Sequence, residues 1–275
     1  MRVTFWGTRG SIPAPGPETA RYGGNTTCLE VVGADRTRVI LDAGTGIRAL
    51  GRALAAGPPG QVSLLISHLH WDHLLGFPFF APAYQPGWRI DVGGWPRALK
   101  GLAGLFEGSL QDGRFPVAFE DLPAAIRQTG ALDGPRFRVG EMQGRTCPLN
   151  HPQGGVGLRL DEQGRALVFL TDNELSAPGP SNLDGFARFC AGASVLVHDA
   201  QYLPEELPHR VGWGHSSWSE AVRLAAKASV GRLILTHHDP DRGDGQVDEL
   251  LAAARAAAPA GLAVDAAREG LTLDI

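Results

Sequence analysis

The stretch Val62-Ser63-Leu64-Leu65-Ile66-Ser67-His68-Leu69-His70-Trp71-Asp72-His73 decides how this chain is read. A short apolar run bounded by turn residues reads as a buried strand. Directly after it come three histidines and an aspartate within six positions. At a strand end, residues two apart share a face, so His68 and His70 project to the same side. Asp72 and His73, in the turn that follows, reach a second point nearby. Imidazole and carboxylate with no thiolate suit Zn²⁺, Mn²⁺ or Fe rather than a Cys-rich structural zinc, and a closed structural site would use only four ligands. One short loop can therefore serve two divalent metal ions.

Further candidate ligands close later apolar runs: His151 in Leu149-Asn150-His151-Pro152, Asp172 in Phe169-Leu170-Thr171-Asp172, and His237 in Ile234-Leu235-Thr236-His237-His238. Taken singly, each reads as a cap or a hydrogen-bonded loop residue; together with the first cluster they form a ligand set. Around them, strands are expected at Val3 to Trp6, Cys28 to Val32, Arg38 to Leu41, Val156 to Leu160, Ala166 to Leu170, Val195 to Val197, Leu233 to Leu235 and Leu271 to Ile275. Helices are expected over Thr45 to Ala56, where Ile47, Leu50 and Leu54 keep helical spacing, and around Pro96 to Phe106, Asp121 to Thr129, Ser217 to Ala228 and Val247 to Ala257. A strand-rich first half and a second half of strands and helices, without regular βαβ repetition, predict two sheets packed together with helices outside. No linker or internal repeat divides the chain, so residues 1–275 read as a single domain.

The composition narrows the class further. Lys plus Arg is 25 against 29 Asp plus Glu, a net charge of −4, which lacks the basic excess of a dedicated nucleic-acid binder. Hydrophobic residues at 43% argue against an intrinsically disordered chain. Cys28, Cys147 and Cys190 are odd in number and widely spaced, which fits a reducing compartment rather than a disulfide framework. No apolar run approaches a membrane span, and the first residues hold no apolar leader segment, so a cytoplasmic protein with no membrane partner is expected.

The order HxHxDH, His151, Asp172, His237 resembles the metallo-β-lactamase superfamily. The resemblance runs from about residue 3 to 240 and implies an αββα four-layer sandwich of α/β class. It also implies His68, His70 and His151 on one metal, Asp72, His73 and His237 on the other, and Asp172 bridging them. His70 stands where oxygen-reducing members carry Glu, and no thiolate replaces a ligand, so the hydrolase branches fit. A second constellation, Gly212-Trp213-Gly214-His215-Ser216-Ser217 followed by Glu220-Ala221, resembles the ribonuclease Z-like and small bacterial phosphodiesterase-like hydrolases. By that resemblance His215 is catalytic alongside Asp72. Chemically, a nearby His can protonate or stabilise the alkoxide that a phosphodiester expels. The competing reading makes Ser216 or Ser217 a helix N-cap with His215 merely packed.

The glycine turns Gly7-Thr8-Arg9-Gly10-Ser11 and Asp42-Ala43-Gly44-Thr45-Gly46 also resemble this branch, and they read as turns or as backbone cradles for a phosphate. Asp42, His198, Asp199 and His238 are candidates to orient ligands by hydrogen bonds. Trp71 and Trp213, beside the metal motifs, line a pocket or belong to the core. Ribonuclease Z grips tRNA with a basic arm, whereas residues 73–151 carry eight basic side chains against seven acidic ones, so long RNA is disfavoured as a partner. The expected function is a binuclear hydrolase binding two divalent ions, Zn²⁺ foremost, with a small phosphodiester or nucleotide as substrate, cyclic ones included. The alternatives are an RNA-processing nuclease, a thioester or lactone hydrolase on the same scaffold, or a metal-binding sensor without turnover. A homodimer is a candidate assembly.

Overall fold

In the computed structural model, which describes residues 1–107 and 115–275, the described chain forms two seven-stranded sheets. The first is built from β1 (Arg2–Gly7), β2 (Cys28–Val32), β3 (Arg38–Leu41), β4 (Gln61–Ile66), β5 (Arg89–Gly94), β6 (Ala125–Gln128) and the last strand, β14 (Thr272–Asp274). Its order is β14-β1-β2-β3-β4-β5-β6. The second holds β7 (Arg136–Val139), β8 (Met142–Pro148), β9 (Val156–Glu162), β10 (Arg165–Leu170), β11 (Val195–Asp199), β12 (Arg232–Thr236) and β13 (Ala263–Ala266), in the order β13-β12-β11-β10-β9-β8-β7.

The period-2 alternation of each strand builds three cores from two sheets. Leu65 of β4 enters a core between the sheets, with Phe5, Leu29 and Leu41 from its own sheet and Leu160, Leu167, Phe169 and Val197 from the other. Its neighbours Leu64 and Ile66 face outward, onto α1 (Ile47–Ala55) and α2 (Ala98–Gly104). In the second sheet Val168 and Leu170 likewise turn away from the partner sheet. They meet Phe186 of α3 (Leu183–Cys190), Leu224 of α4 (Trp218–Lys227) and Val247 of α5 (Asp244–Ala257). The layers run α, β, β, α.

Each sheet is antiparallel at one end and parallel at the other. The β3-β4-β5-β6 and β10-β11-β12-β13 pairings are parallel. Parallel neighbours need crossovers, which α1, α3, α4 and α5 supply, and their carboxyl ends then lie on one edge, where open α/β sheets bind ligands.

One expected element is wrong. Residues 121–129 were read as a helix, but Ala125–Gln128 is the edge strand β6, parallel to β5. Pro123 removes a donor near the expected start. Tertiary pairing supplies the rest: Arg127 Nε donates to Asp91 Oδ1 at 2.7 Å, and the Gln128 amide joins the backbone N–H of Leu99 to the carboxylate of Asp133.

Candidate metal centre

The strand ends converge where the sequence pattern pointed. His68, His70 and His73 follow β4, Asp172 follows β10, His237 follows β12 and His151 follows β8. Asp42, Asp172 and His237 each close a parallel strand with positive φ, at 63°, 51° and 59°. The left-handed region is costly for residues with a Cβ and persists where surrounding contacts fix it, typically at functional sites. Two groups of side chains gather the expected ligands, His68, His70, His151 and Asp172, and Asp72, His73, Asp172 and His237, and a smaller third group, Asp199, His215 and His237, adjoins them; within each, the candidate ligand atoms lie within 4.8 Å of one another. Asp172 belongs to both of the larger groups. All seven residues that the resemblance named are thus brought together in these groups.

Each of the five imidazoles commits one ring nitrogen outward. His68 Nδ1 meets Ser67 Oγ at 3.1 Å, and that hydroxyl donates in turn to Asp42 Oδ2. His73 Nδ1 donates to Asp42 Oδ2 (2.8 Å), His237 Nδ1 to Gln201 Oε1 (2.9 Å), His151 Nδ1 to the Gly214 carbonyl (3.1 Å), and His70 Nε2 to Gln153 Oε1 (2.9 Å). The other nitrogen of every ring therefore faces inward, toward the shared centre. Such outer acceptors fix the tautomer and raise the basicity of a metal-binding imidazole. His68 Nε2 is fully buried without a hydrogen-bond partner, and His73 Nε2 lies 3.2 Å from both Asp72 Oδ2 and Asp172 Oδ1. His151 Nε2 and His70 Nδ1 face each other at 3.1 Å. Buried polar atoms are rarely orphaned, and a converging set of bare imidazole nitrogens and carboxylates fits divalent cations.

The electrostatics agree. Burial alone would raise Asp72 and Asp172, yet the neighbouring His73 and His237 hold both carboxylates well below their usual range. Burial opposes charge on His237 too, but Asp172 and Asp72 outweigh it and push this histidine up to about 10. His151, with weaker carboxylate support, is pushed down by burial to about 4. Burial opposes charge on His73 as well, and Asp72 and Asp172 outweigh it and raise this histidine well above its ordinary value; a cation bound here would compete with protons for these side chains.

His215 lies beside this centre and outside both of the larger groups. Its Nδ1 donates to Asp199 Oδ2 at 2.6 Å, and its ring stacks on His237 at 4.9 Å between centroids. Asp199 ends β11, next to the strand that leads to His237. Ser217 is the N-cap of α4, in a capping box with Glu220, so the capping reading of this segment holds for Ser217 while His215 is oriented by a carboxylate. Of the other candidate orienting residues, Asp42 serves His73 and, through Ser67, His68. His198 and His238 serve no ligand: they donate to the carbonyls of Asp199 and Ala267.

The glycines bring backbone close to the clustered side chains. A Cβ on Gly10 would lie 2.3 Å from the His237 ring, and one on Gly214, where φ is +87°, would lie 2.0 Å from His151 Nδ1. Ser11 N–H donates to Asp72 Oδ2 (2.8 Å). Trp71 and Trp213 are no part of the core, at 74% and 55% exposed. Gln153 and Gln201 escaped the sequence reading. Gln201 follows Asp199 by two, the strand periodicity that places it on the same side, whereas Gln153 is held by a turn with φ 61° and leaves no signal in the pattern.

A four-layer fold with paired His/Asp clusters on one edge of its sheets defines a metal-dependent hydrolase of the metallo-β-lactamase type. The chain belongs to the β-lactamase superfamily, whose domain model matches residues 37–238. It is 28% identical to a protein named ribonuclease Z from Mycobacterium avium (strain 104), over 90% of each chain. Among solved structures, the metallo-β-lactamase fold protein YhfI from Bacillus subtilis matches 99% of this chain and 98% of its own, with TM-score 0.72 and 19% identity. A diphosphatase of the PhnP family matches 100% of this chain and 97% of its own, with TM-score 0.68 and 19% identity. No helix among the described residues is long and apolar enough to cross a membrane.

Proposed function

We propose that this protein, acting as one domain over residues 1–275, is a phosphodiesterase for small nucleotides, cyclic ones included. The observation that carries the reading is the Asp199–His215 pair beside the paired clusters. His68, His70 and His151 would hold one divalent ion, Asp72, His73 and His237 a second, and Asp172 both, with Zn²⁺ the best match to this N/O donor set. When bound, such ions supply Lewis acidity to a phosphoryl oxygen and lower the pKa of water.

The remaining work falls to the chain. Asp72, its Oδ2 fixed by the Ser11 N–H, and Asp172, held between His73 and His237, orient the attacking water. His215 has its Nδ1–H tied to Asp199, so Nε2 is the nitrogen that can take up a proton released by the attacking water and, from the imidazolium, give it to the departing oxygen. An alkoxide is a poor leaving group and needs that proton, whereas a thiolate does not, which separates phosphodiesters from thioesters as substrates.

A second reading, an RNA-processing nuclease, is favoured by the name of the curated relatives. The near-neutral balance of residues 73–151 offers no clustered cations for a long polyanion, so small substrates fit better. Kinetics of wild type and His215→Ala on aryl phosphodiesters of graded leaving-group pKa test the assignment. A loss of about 10²–10⁴-fold that deepens as the leaving group worsens is expected. A uniform loss, or wild-type preference for a thioester or for precursor tRNA, would contradict the reading.

A further inference from the structure

A cavity of ≈ 700 Å³ opens directly beside the first ligand group, lined by His68, His70, Trp95, Arg97, Gln153 and Gly154. Its size is that of a small-molecule site. His215 contacts His151 and His237, and none of the three lines this cavity, so a phosphodiester spanning the centre would send its leaving group toward His215 and its retained half into the cavity.

Three features of the walls are unspent. The Arg97 guanidinium is exposed at the start of α2 and makes no ion pair or hydrogen bond with any described residue. Gln153 gives its Oε1 to His70, which fixes the amide, and its Nε2 has no partner among the described residues. Trp95, half-buried, borders Gly154, where an added Cβ would come within 2.9 Å of the indole, so the glycine keeps the ring edge open to that turn. An aromatic face takes a planar base, a guanidinium takes an anion through a fixed fork, and an amide N–H adds a third contact.

We propose that this cavity is a specificity subsite for a nucleotide that carries a second phosphate besides the scissile one, with the base on Trp95 and the additional phosphate on Arg97 and the Gln153 amide. The proposal rests on the phosphodiesterase reading for its biological meaning, but it concerns binding and is testable without turnover.

The test is calorimetric binding of adenosine 3′,5′-bisphosphate and of adenosine monophosphate to the Zn²⁺-loaded chain, alongside hydrolysis of bis(p-nitrophenyl) phosphate, which has no second anion. The expected result is tighter binding of the bisphosphate. Arg97→Ala should weaken it about tenfold, Arg97→Lys should restore part of the loss, and monophosphate binding should change by less than about twofold. Trp95→Leu should weaken both ligands alike. Equal affinity of wild type for the two ligands, or an equal loss on both in Arg97→Ala, would overturn the subsite. Failure to hydrolyse bis(p-nitrophenyl) phosphate while Arg97 still discriminates would instead remove the phosphodiesterase reading and leave the subsite standing.

Discussion

At the scale of single residues, Asp172 stands in both larger groups, while His215 stands only in the adjoining one with Asp199 and His237. Asp172→Ala should therefore strip both metal ions, whereas His215→Ala should keep them and lose only turnover. Elemental analysis of the purified variants separates the two cases. Metal loss in His215→Ala would show that the side chain is a ligand. Between these extremes lies Gln201, whose Oε1 is the acceptor for His237 Nδ1–H. Removing it in Gln201→Leu frees the tautomer and leaves a buried N–H unpaired, so metal affinity should fall about 10–100-fold. Competition against a zinc chelator measures this, and unchanged affinity would mean that Gln201 does no orienting. Asp72→Asn keeps the size of the side chain but removes a charge held between His73 and His237, and should cost more than about 10²-fold in rate.

At the scale of elements, α4 joins the catalytic loop to the strand that presents His237. Its start is fixed by the Ser217 capping box, and the loop before it by Glu174, whose carboxylate accepts the backbone N–H groups of Gly212 and Gly214. Ser217→Ala should cost about 1 kcal/mol, a drop in Tm of roughly 2–4 °C for a chain this long, visible by calorimetry. An unshifted Tm would mean that the cap carries no stability. The legibility of the sequence divides along the same lines. Strands β2 and β3 and the helix around Ile47 were readable because period and punctuation agreed locally. The Asp121–Thr129 segment departs from its helical spacing because β6 is decided by partners distant in sequence, strand β5 and its Asp91. The strands Arg89–Gly94, Arg136–Val139, Met142–Pro148 and Ala263–Ala266 and the helix Leu183–Cys190 left too little local pattern to be read. The ligands were legible as a set because strand ends concentrate them, while their grouping came from resemblance, and Gln153 was invisible because a turn places it.

At the scale of the whole molecule, three cores enclose side chains that would titrate freely in an unfolded chain. All three tyrosines, Tyr22, Tyr84 and Tyr202, have raised pKa values through burial, with Asp248 adding to the effect at Tyr22 and Asp199 at Tyr202. Tyr22 is pushed up to about 12. Because the folded values lie above the unfolded value near 10, the fold favours the protonated phenols. Their stabilising contribution is complete below about pH 10 and is lost as pH rises through the folded values. An ultraviolet titration of the native protein should place the Tyr22 phenolate step near pH 12, and a Tyr22 step near pH 10 without unfolding would contradict the burial.

The central claim is that one set of seven side chains on the shared edge of two sheets holds two divalent ions and hydrolyses phosphodiesters with them. Its most direct test is a titration of the metal-stripped chain with Zn²⁺, following bis(p-nitrophenyl) phosphate hydrolysis and bound zinc in the same samples. The account predicts activity that saturates as the second equivalent binds. Two bound equivalents with no hydrolysis, or full activity at one, would contradict it.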